Sequence, residues 1–247
     1  FVDALKKAYP FDMTKLYKGV SRGMKQWHKW GRANYCPNIT EYNQASMHTA
    51  NIFSSALQDL VNKINNYVEE LIKDKLKAKN QDVGANLAGN VTQEFDLDKK
   101  FSKECGWAEF LSKECAYWIK ESTGKKIKEF HLIGTWIVRQ FQNEYNPIHY
   151  HGGHVTGVGY LKVPKSFGET FQKNKKNNNN GQIHLVHGSK QFLSDCLFKI
   201  EPKVGNFYYF PNYLMHTVYP FYSEHEERRS ISFNALIDEE IYNAYSS

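Results

Sequence analysis

The sequence predicts an α+β protein with a mainly β core, helices first and strands second. Three observations carry this reading. Apolar residues recur every three to four positions from about Thr49 to Lys79, and again from about Ser102 to Thr123. After Gly124 the period becomes that of short strands punctuated by Gly and Pro. Aromatic residues are 15% of the chain, which favours strands. Helices segregated from strands in this way suit helices packed on one face of an antiparallel sheet better than two independent domains. The expectation is one domain over residues 1–247. Residues 1–126 would carry N-terminal strands, loops and supporting helices, and 127–247 the strand core.

Residues 1–48 are mixed, with turn signals at Gly19, Gly23, Gly31 and Pro37, and are expected to form short strands and loops. In the first helix Ile52, Phe53, Ala56, Leu57, Leu60, Val61, Ile64, Val68, Leu71 and Ile72 make one apolar face, explained by core packing. Residues 80–100 are polar and rich in Gly and Asn, a loop. The second helix would bury Trp107, Phe110, Leu111, Cys115, Trp118 and Ile119 and end at Gly124, where a glycine lets the chain leave in a left-handed conformation. Strands are expected over 130–141, 155–163, 183–187, 196–200, 206–210, 214–219 and 229–236. Many short strands at such spacing predict a β-sandwich or barrel. The Lys/Asn tract 173–180 is expected to be a floppy loop between two of them.

Composition excludes several classes. With 41% hydrophobic and 23% charged residues the chain is neither disordered nor fibrous. No apolar run reaches the roughly 18–20 residues that span a bilayer. The net charge of +6 is too modest for a nucleic-acid binder's basic footprint. Four cysteines, at 36, 105, 115 and 196, form no CxxC pair, which argues against a Cys-type zinc site and for reduced thiols in a cytoplasmic protein. The tripeptides Asn38-Ile39-Thr40 and Asn90-Val91-Thr92 match the glycosylation pattern, but a three-residue pattern often arises by chance, so secretion is the minority reading. The chain begins at Phe1 rather than Met, which suggests a trimmed or processed fragment.

The histidines point to chemistry. Of ten, seven lie between 149 and 225. In a strand, residues two apart share a face, so His149 and His151 can present two imidazoles to one metal. The best-placed third ligand is His216, which follows a turn glycine, the apolar run Asn206–Phe210 and Pro211. Downstream, Arg228, Ser230, Ser232 and Asn234 alternate along one strand face. An Arg and a Ser two apart on an inward face suit a ligand carboxylate, which Arg grips through two parallel hydrogen bonds. On an outward face the same residues are a solvated strand end. His154, three residues past His151, is a candidate to support the metal or face substrate. His184 and His187 lie on or near a strand, and His28, His48, His131 and His225 have no informative context.

The order HxH, then GxxxxFPxxxxHxVxP, then RxS resembles the iron(II)- and 2-oxoglutarate-dependent oxygenases. The resemblance covers about residues 130–237 and is nearest to the prolyl-4-hydroxylase-like branch and to related oxygenases of phages and marine bacteria. It implies a double-stranded β-helix, or jelly roll, with supporting helices before it. It implies metal positions at His149, His151 and His216, and cosubstrate contacts from Arg228, Ser230 and Tyr160, the last from the segment Thr156–Leu161. Fe(2+), 2-oxoglutarate and O2 follow as cofactor, cosubstrate and co-reactant, with hydroxylation of a prolyl, peptidyl or small-molecule substrate and release of succinate and CO2.

One position departs from the family. His151 stands where relatives carry Asp or Glu, so the site loses one negative charge from the usual two-histidine, one-carboxylate set. Three readings are open. His151 is the third ligand, or Glu144 or Asp195 reaches in, or catalysis has been lost. The alternatives to a 2-oxoglutarate hydroxylase are a three-histidine dioxygenase without that cosubstrate and a non-catalytic jelly-roll binding module. Arg228 with Ser230 argues against the first, and retention of three histidines against the second.

Overall fold

The structure is a computed structural model that describes residues 48–51, 55–189 and 195–243. The expectations for residues 1–47, including Cys36, His28 and the tripeptide at Asn38, fall outside the described residues.

The first helix starts later than its apolar period predicts. His48–Asn51 is a strand, β1, paired antiparallel with β8 (Asn206–Pro211), with Thr49 opposite Tyr208. Sheet pairing overrides the helical spacing there. Helix α1 runs Ser55–Lys73 and buries Leu57, Leu60, Val61, Ile64, Val68 and Leu71. It stops before Asp74, whose carboxylate accepts hydrogen bonds from the Leu76 and Lys77 amides and so caps a separate helix, α2 (Lys75–Gln81).

Residues 80–100 are not simply a loop. They hold β2 (Gln93–Asp96), paired with β3 (Phe130–Gln140), and the start of α3 (Lys99–Glu104), capped by Asp98 on the Phe101 amide. The helix expected from Ser102 is divided at Gly106, whose φ of 91° needs a glycine. Beyond it α4 (Trp107–Thr123) buries Trp107, Leu111, Cys115, Trp118 and Ile119. It ends at Gly124 with φ 73°, whose amide donates to the Lys120 carbonyl.

The remaining elements are β4 (Asn146–His149), β5 (Val155–Lys162), β6 (Ile183–Val186), β7 (Leu197–Ile200), β8, β9 (Met215–Val218), β10 (Arg228–Ile237) and α5 (Glu239–Asn243). They form two antiparallel sheets, one ordered β1-β8-β5-β10-β3-β2 and one ordered β4-β9-β6-β7. One face of the six-stranded sheet packs on the helices, with Ile137, Phe207, Ile231 and Phe233 against Ile64, Trp107 and Leu111. Its other face packs on the four-stranded sheet, with Val158, Tyr160, Tyr208 and Phe210 against Ile183, Leu185, Ile200 and Val218. Gly159 is tied to the first core: a Cβ there would lie 2.0 Å from the Phe207 ring.

The Lys/Asn tract is exposed and joins β5 to β6, as expected of a loop. It is not simply loose, because the Asn178 and Asn180 amides donate to carbonyls of Phe167, Gly168 and Glu169. Cys105, Cys115 and Cys196 are free thiols. Among the described residues no helix is long and apolar enough to cross a membrane.

Candidate metal and cosubstrate site

His149 and His216 are register partners across β4 and β9. His151 is not in the strand with His149. Strand β4 ends at His149, and His151 sits in the following turn, its amide donating to the Asn212 carbonyl at 3.0 Å. The alternation argument for this pair therefore fails, yet the three rings converge. Their centroids are 5.0 Å (149–151), 4.3 Å (149–216) and 4.9 Å (151–216) apart. One ring nitrogen from each lies within 4.8 Å of the others, and His151 Nε2 is 3.1 Å from His216 Nε2.

The surroundings prepare these nitrogens. His149 Nδ1 lies 2.7 Å from the Pro147 carbonyl and His216 Nδ1 2.9 Å from the Leu214 carbonyl. Each Nδ1 must therefore carry its proton, which leaves Nε2 with a free lone pair. Burial lowers the pKa of all three. It brings His151, with help from the charge of His149, to about 4, and His216, with help from His149 and His151, to about 3. Neutral imidazole is the ligating form. Among the described residues no carboxylate joins the group. Glu144 instead accepts from the Thr92 and Phe141 amides at 3.0 and 2.8 Å, and Asp195 is exposed.

His154 lies outside the group. Its Nδ1 is 3.1 Å from the Ile237 carbonyl, and its ring stacks on Tyr242 at 4.0 Å. The expectation that it supports the metal or faces substrate is corrected accordingly: strand β5 begins one residue later and turns this side chain towards α5. His184 is buried, with Nε2 3.1 Å from Gln182 Oε1 and its ring 4.4 Å from Tyr219, a satisfied core histidine.

Arg228 opens β10 opposite Gln140, and its side chain is 1% exposed. Its Nη1 donates to Gln140 Oε1 at 3.1 Å and reaches Ser230 Oγ at 3.5 Å. The guanidinium lies 5.0 Å from the centre of the Tyr160 ring, on the strand beside it. Its Nε and Nη2, and the fully buried Tyr160 hydroxyl, have no well-formed hydrogen bond. Burial pushes the Tyr160 hydroxyl up to about 12, against the pull of Arg228. A dry guanidinium with no carboxylate partner, beside a hydroxyl that it satisfies only poorly, is costly unless an anion completes it.

Arg229 points the other way. It bonds Glu227 at 2.7 and 3.0 Å and reaches Asn65 and Glu69 of α1. Glu227 is shared with Arg139 and Lys162. Burial opposes its charge, but the hydrogen bonds from Arg139 and Arg229 outweigh that and hold its pKa at about 2.

Sequence reasoning missed Gln140, Trp136, whose ring is 5.6 Å from His151, and Asn212. A signal existed for the first two. Alternation along β3 puts Trp136, Val138 and Gln140 on one face, opposite Ser232, Ser230 and Arg228 of β10.

These residues fit a divalent metal chelated by a dicarboxylic acid. Three neutral imidazoles converge at one point, and an unneutralised guanidinium with hydroxyls waits for a carboxylate. Such a set could hold a metal ion at the histidines and an acidic group at Arg228. Residues 134–234, the stretch that holds all three histidines and Arg228, match the family described as "Putative 2OG-Fe(II) oxygenase".

In structure it is similar to a prolyl hydroxylase from Trichoplax adhaerens in complex with a hypoxia-inducible-factor peptide fragment, with TM-score 0.51, 15% identity and coverage of 91% of this chain and 96% of that one. It is also similar to a Pseudomonas putida prolyl-4-hydroxylase (TM-score 0.48, 15% identity, 79% and 96%). A third is the viral collagen prolyl hydroxylase of Paramecium bursaria Chlorella virus-1 in its 2-oxoglutarate complex (0.46, 16%, 77% and 95%). Comparison with curated proteins finds no match.

Proposed function

We propose that the chain is a hydroxylase of the prolyl-4-hydroxylase-like branch, folded as one domain whose two facing sheets are a double-stranded β-helix. His149, His151 and His216 hold the iron. Arg228 grips the distal carboxylate of 2-oxoglutarate, with Ser230 and Tyr160 beside it and Gln140 fixing the guanidinium. When bound, iron(II) with 2-oxoglutarate supplies the oxidising power for hydroxylation, with succinate and CO2 as coproducts. The protein's own part is to present three lone pairs, anchor one carboxylate, and keep water from the guanidinium. The observation that carries this reading is Arg228, buried beside two hydroxyls with donors left over.

A prolyl or other peptidyl substrate is the class we infer. Exposed Tyr150 and Tyr213 adjoin His151 and Asn212 in the chain and would suit an uncharged, partly apolar group. Free thiols at Cys105, Cys115 and Cys196 support a reducing, cytoplasmic setting.

Anaerobic addition of iron(II) and then 2-oxoglutarate tests the reading. The weak visible charge-transfer band of the chelate is expected for the wild type and should be lost in His216→Ala. No band in the wild type, or a band that persists in that variant, would remove the assignment.

A further inference from the structure

We propose that Asn212 is a positioning residue for His151, braced from behind by Tyr242 of the C-terminal helix. This rests on the reading of His151 as a metal ligand.

His151 lies past the end of β4, so no sheet ladder fixes its backbone. Gly152 and Gly153 follow it, the most permissive pair available. Gly153 has φ 89°, and a Cβ there would meet the Ala235 carbonyl at 2.9 Å, so the chain has to be glycine where it leaves the ligand. Nor is the ring of His151 oriented as the other two are. His149 and His216 each lean on a backbone carbonyl through Nδ1, whereas the ring-nitrogen contact of His151 is to His216 itself.

One residue spans this soft segment. The Asn212 carbonyl accepts from the His151 amide at 3.0 Å, and the Asn212 amide donates to the His154 carbonyl at 3.2 Å. Its side chain adds a third tie, with Nδ2 donating to the His151 carbonyl at 3.3 Å. The loop from His151 to His154 is thereby bridged at both ends from the β8–β9 turn. The same turn supplies the Leu214 carbonyl that orients His216, so two of the three ligands are set from one place.

Tyr242 completes the arrangement. Its hydroxyl donates to Asn212 Oδ1 at 3.1 Å, and its ring stacks on His154 at an interplanar angle of 9°. A carboxamide both donates to His151 and accepts from Tyr242; an Asp could only accept.

Mn2+ affinity by calorimetry tests this without turnover, on the full chain and on Asn212→Ala, Asn212→Asp, Tyr242→Phe, His151→Ala and the doubles with His151→Ala. Outer partners of metal ligands are typically worth 10- to 100-fold in affinity. Acting through the backbone, both Asn212 variants should weaken Mn2+ by about 10-fold, at the lower end of that range. Tyr242→Phe keeps the ring stack and should weaken it less. In the His151→Ala background none of them should weaken it further, because the residue they position is gone. If each change instead adds its full effect to that of His151→Ala, their role is general stability and the proposal is overturned. Wild-type affinity in both Asn212 variants, with His151→Ala weakened, overturns the positioning role and leaves the ligand reading intact. Wild-type affinity in His151→Ala overturns the ligand reading, and the clamp with it.

Discussion

Arg228 and Arg229 are neighbours, equally buried at 1% exposure, and serve opposite ends. Arg229 is neutralised by Glu227 and Glu69, while Arg228 is held by one amide oxygen with donors unused. Strand alternation made their opposite facing legible in the sequence. The burial of Arg229 was not legible, because its partners lie on α1 and at Glu227, brought in by tertiary packing. The contrast yields a prediction. Losing one partner of a buried charge pair costs roughly 2–5 kcal/mol, so Arg228→Met should weaken 2-oxoglutarate by about 30-fold to several thousand-fold in calorimetry on metal-loaded protein. The ligand-free protein should gain stability, by about 1 kcal/mol, because an unneutralised buried cation gives way to an apolar side chain of similar length. Arg229→Met should do the reverse, keeping cosubstrate affinity and losing stability. Unchanged 2-oxoglutarate binding in Arg228→Met would end the carboxylate assignment. His151 raises a second prediction at this scale. His151→Asp restores a carboxylate and should retain Mn2+, whereas His149→Ala and His216→Ala should abolish stoichiometric binding; metal content after gel filtration decides it.

Among the elements, the strands of the C-terminal half were the most legible and the helix boundaries the least. Each predicted strand from Phe130 onward exists within a residue or two, because alternation and turn residues are local. Strand β2 was hidden because Gln93-Glu94-Phe95-Asp96 has one apolar residue in four and forms only through pairing with β3. Strand β4 was legible only through the His149–His151 pair, and its stop at His149 converts that expected strand pair into a strand end plus a turn.

The opening of β10 carries the electrostatic weight of the fold. Glu227, 5% exposed, joins β3 and β10 to α1 through Arg139 and Arg229. Its carboxyl is held at about 2 in the fold, against an ordinary 4.5. A depressed pKa contributes stability in full above the ordinary value and loses it as pH falls from about 4.5 towards 2, a difference worth about 3 kcal/mol. Urea denaturation at pH 7, 5 and 3 should show wild-type stability falling mostly below pH 5. Glu227→Gln should be weaker at pH 7 and flatter across that range. An equally steep fall in the variant would place the acid sensitivity elsewhere.

At the scale of the whole molecule, the division into helices and strands was legible, and the sheet order was not. Pairings such as β1 with β8 and β5 with β10 join residues more than 60 positions apart, which no local period encodes. That order is what makes the site. The histidines belong to β4, the turn after it and β9, on the four-stranded sheet; Arg228, Ser230 and Tyr160 belong to β10 and β5, on the six-stranded sheet. On the proposed reading, a cosubstrate chelated on one side and gripped on the other would tie the two sheets together, and neither anchor alone would do so. Binding to the native state alone stabilises by about 2.7 kcal/mol at a hundredfold excess over Kd. At this chain length that corresponds to a rise in Tm of roughly 5–10 °C. Thermal melts should show little shift with 2-oxoglutarate alone, a moderate one with Mn2+ alone, and one larger than their sum with both. Arg228→Met should keep the Mn2+ shift and lose the cosubstrate increment, while His216→Ala should lose both. A shift from 2-oxoglutarate that is equally large without metal would mean that the acid binds without chelation, and that the two sheets do not share a ligand.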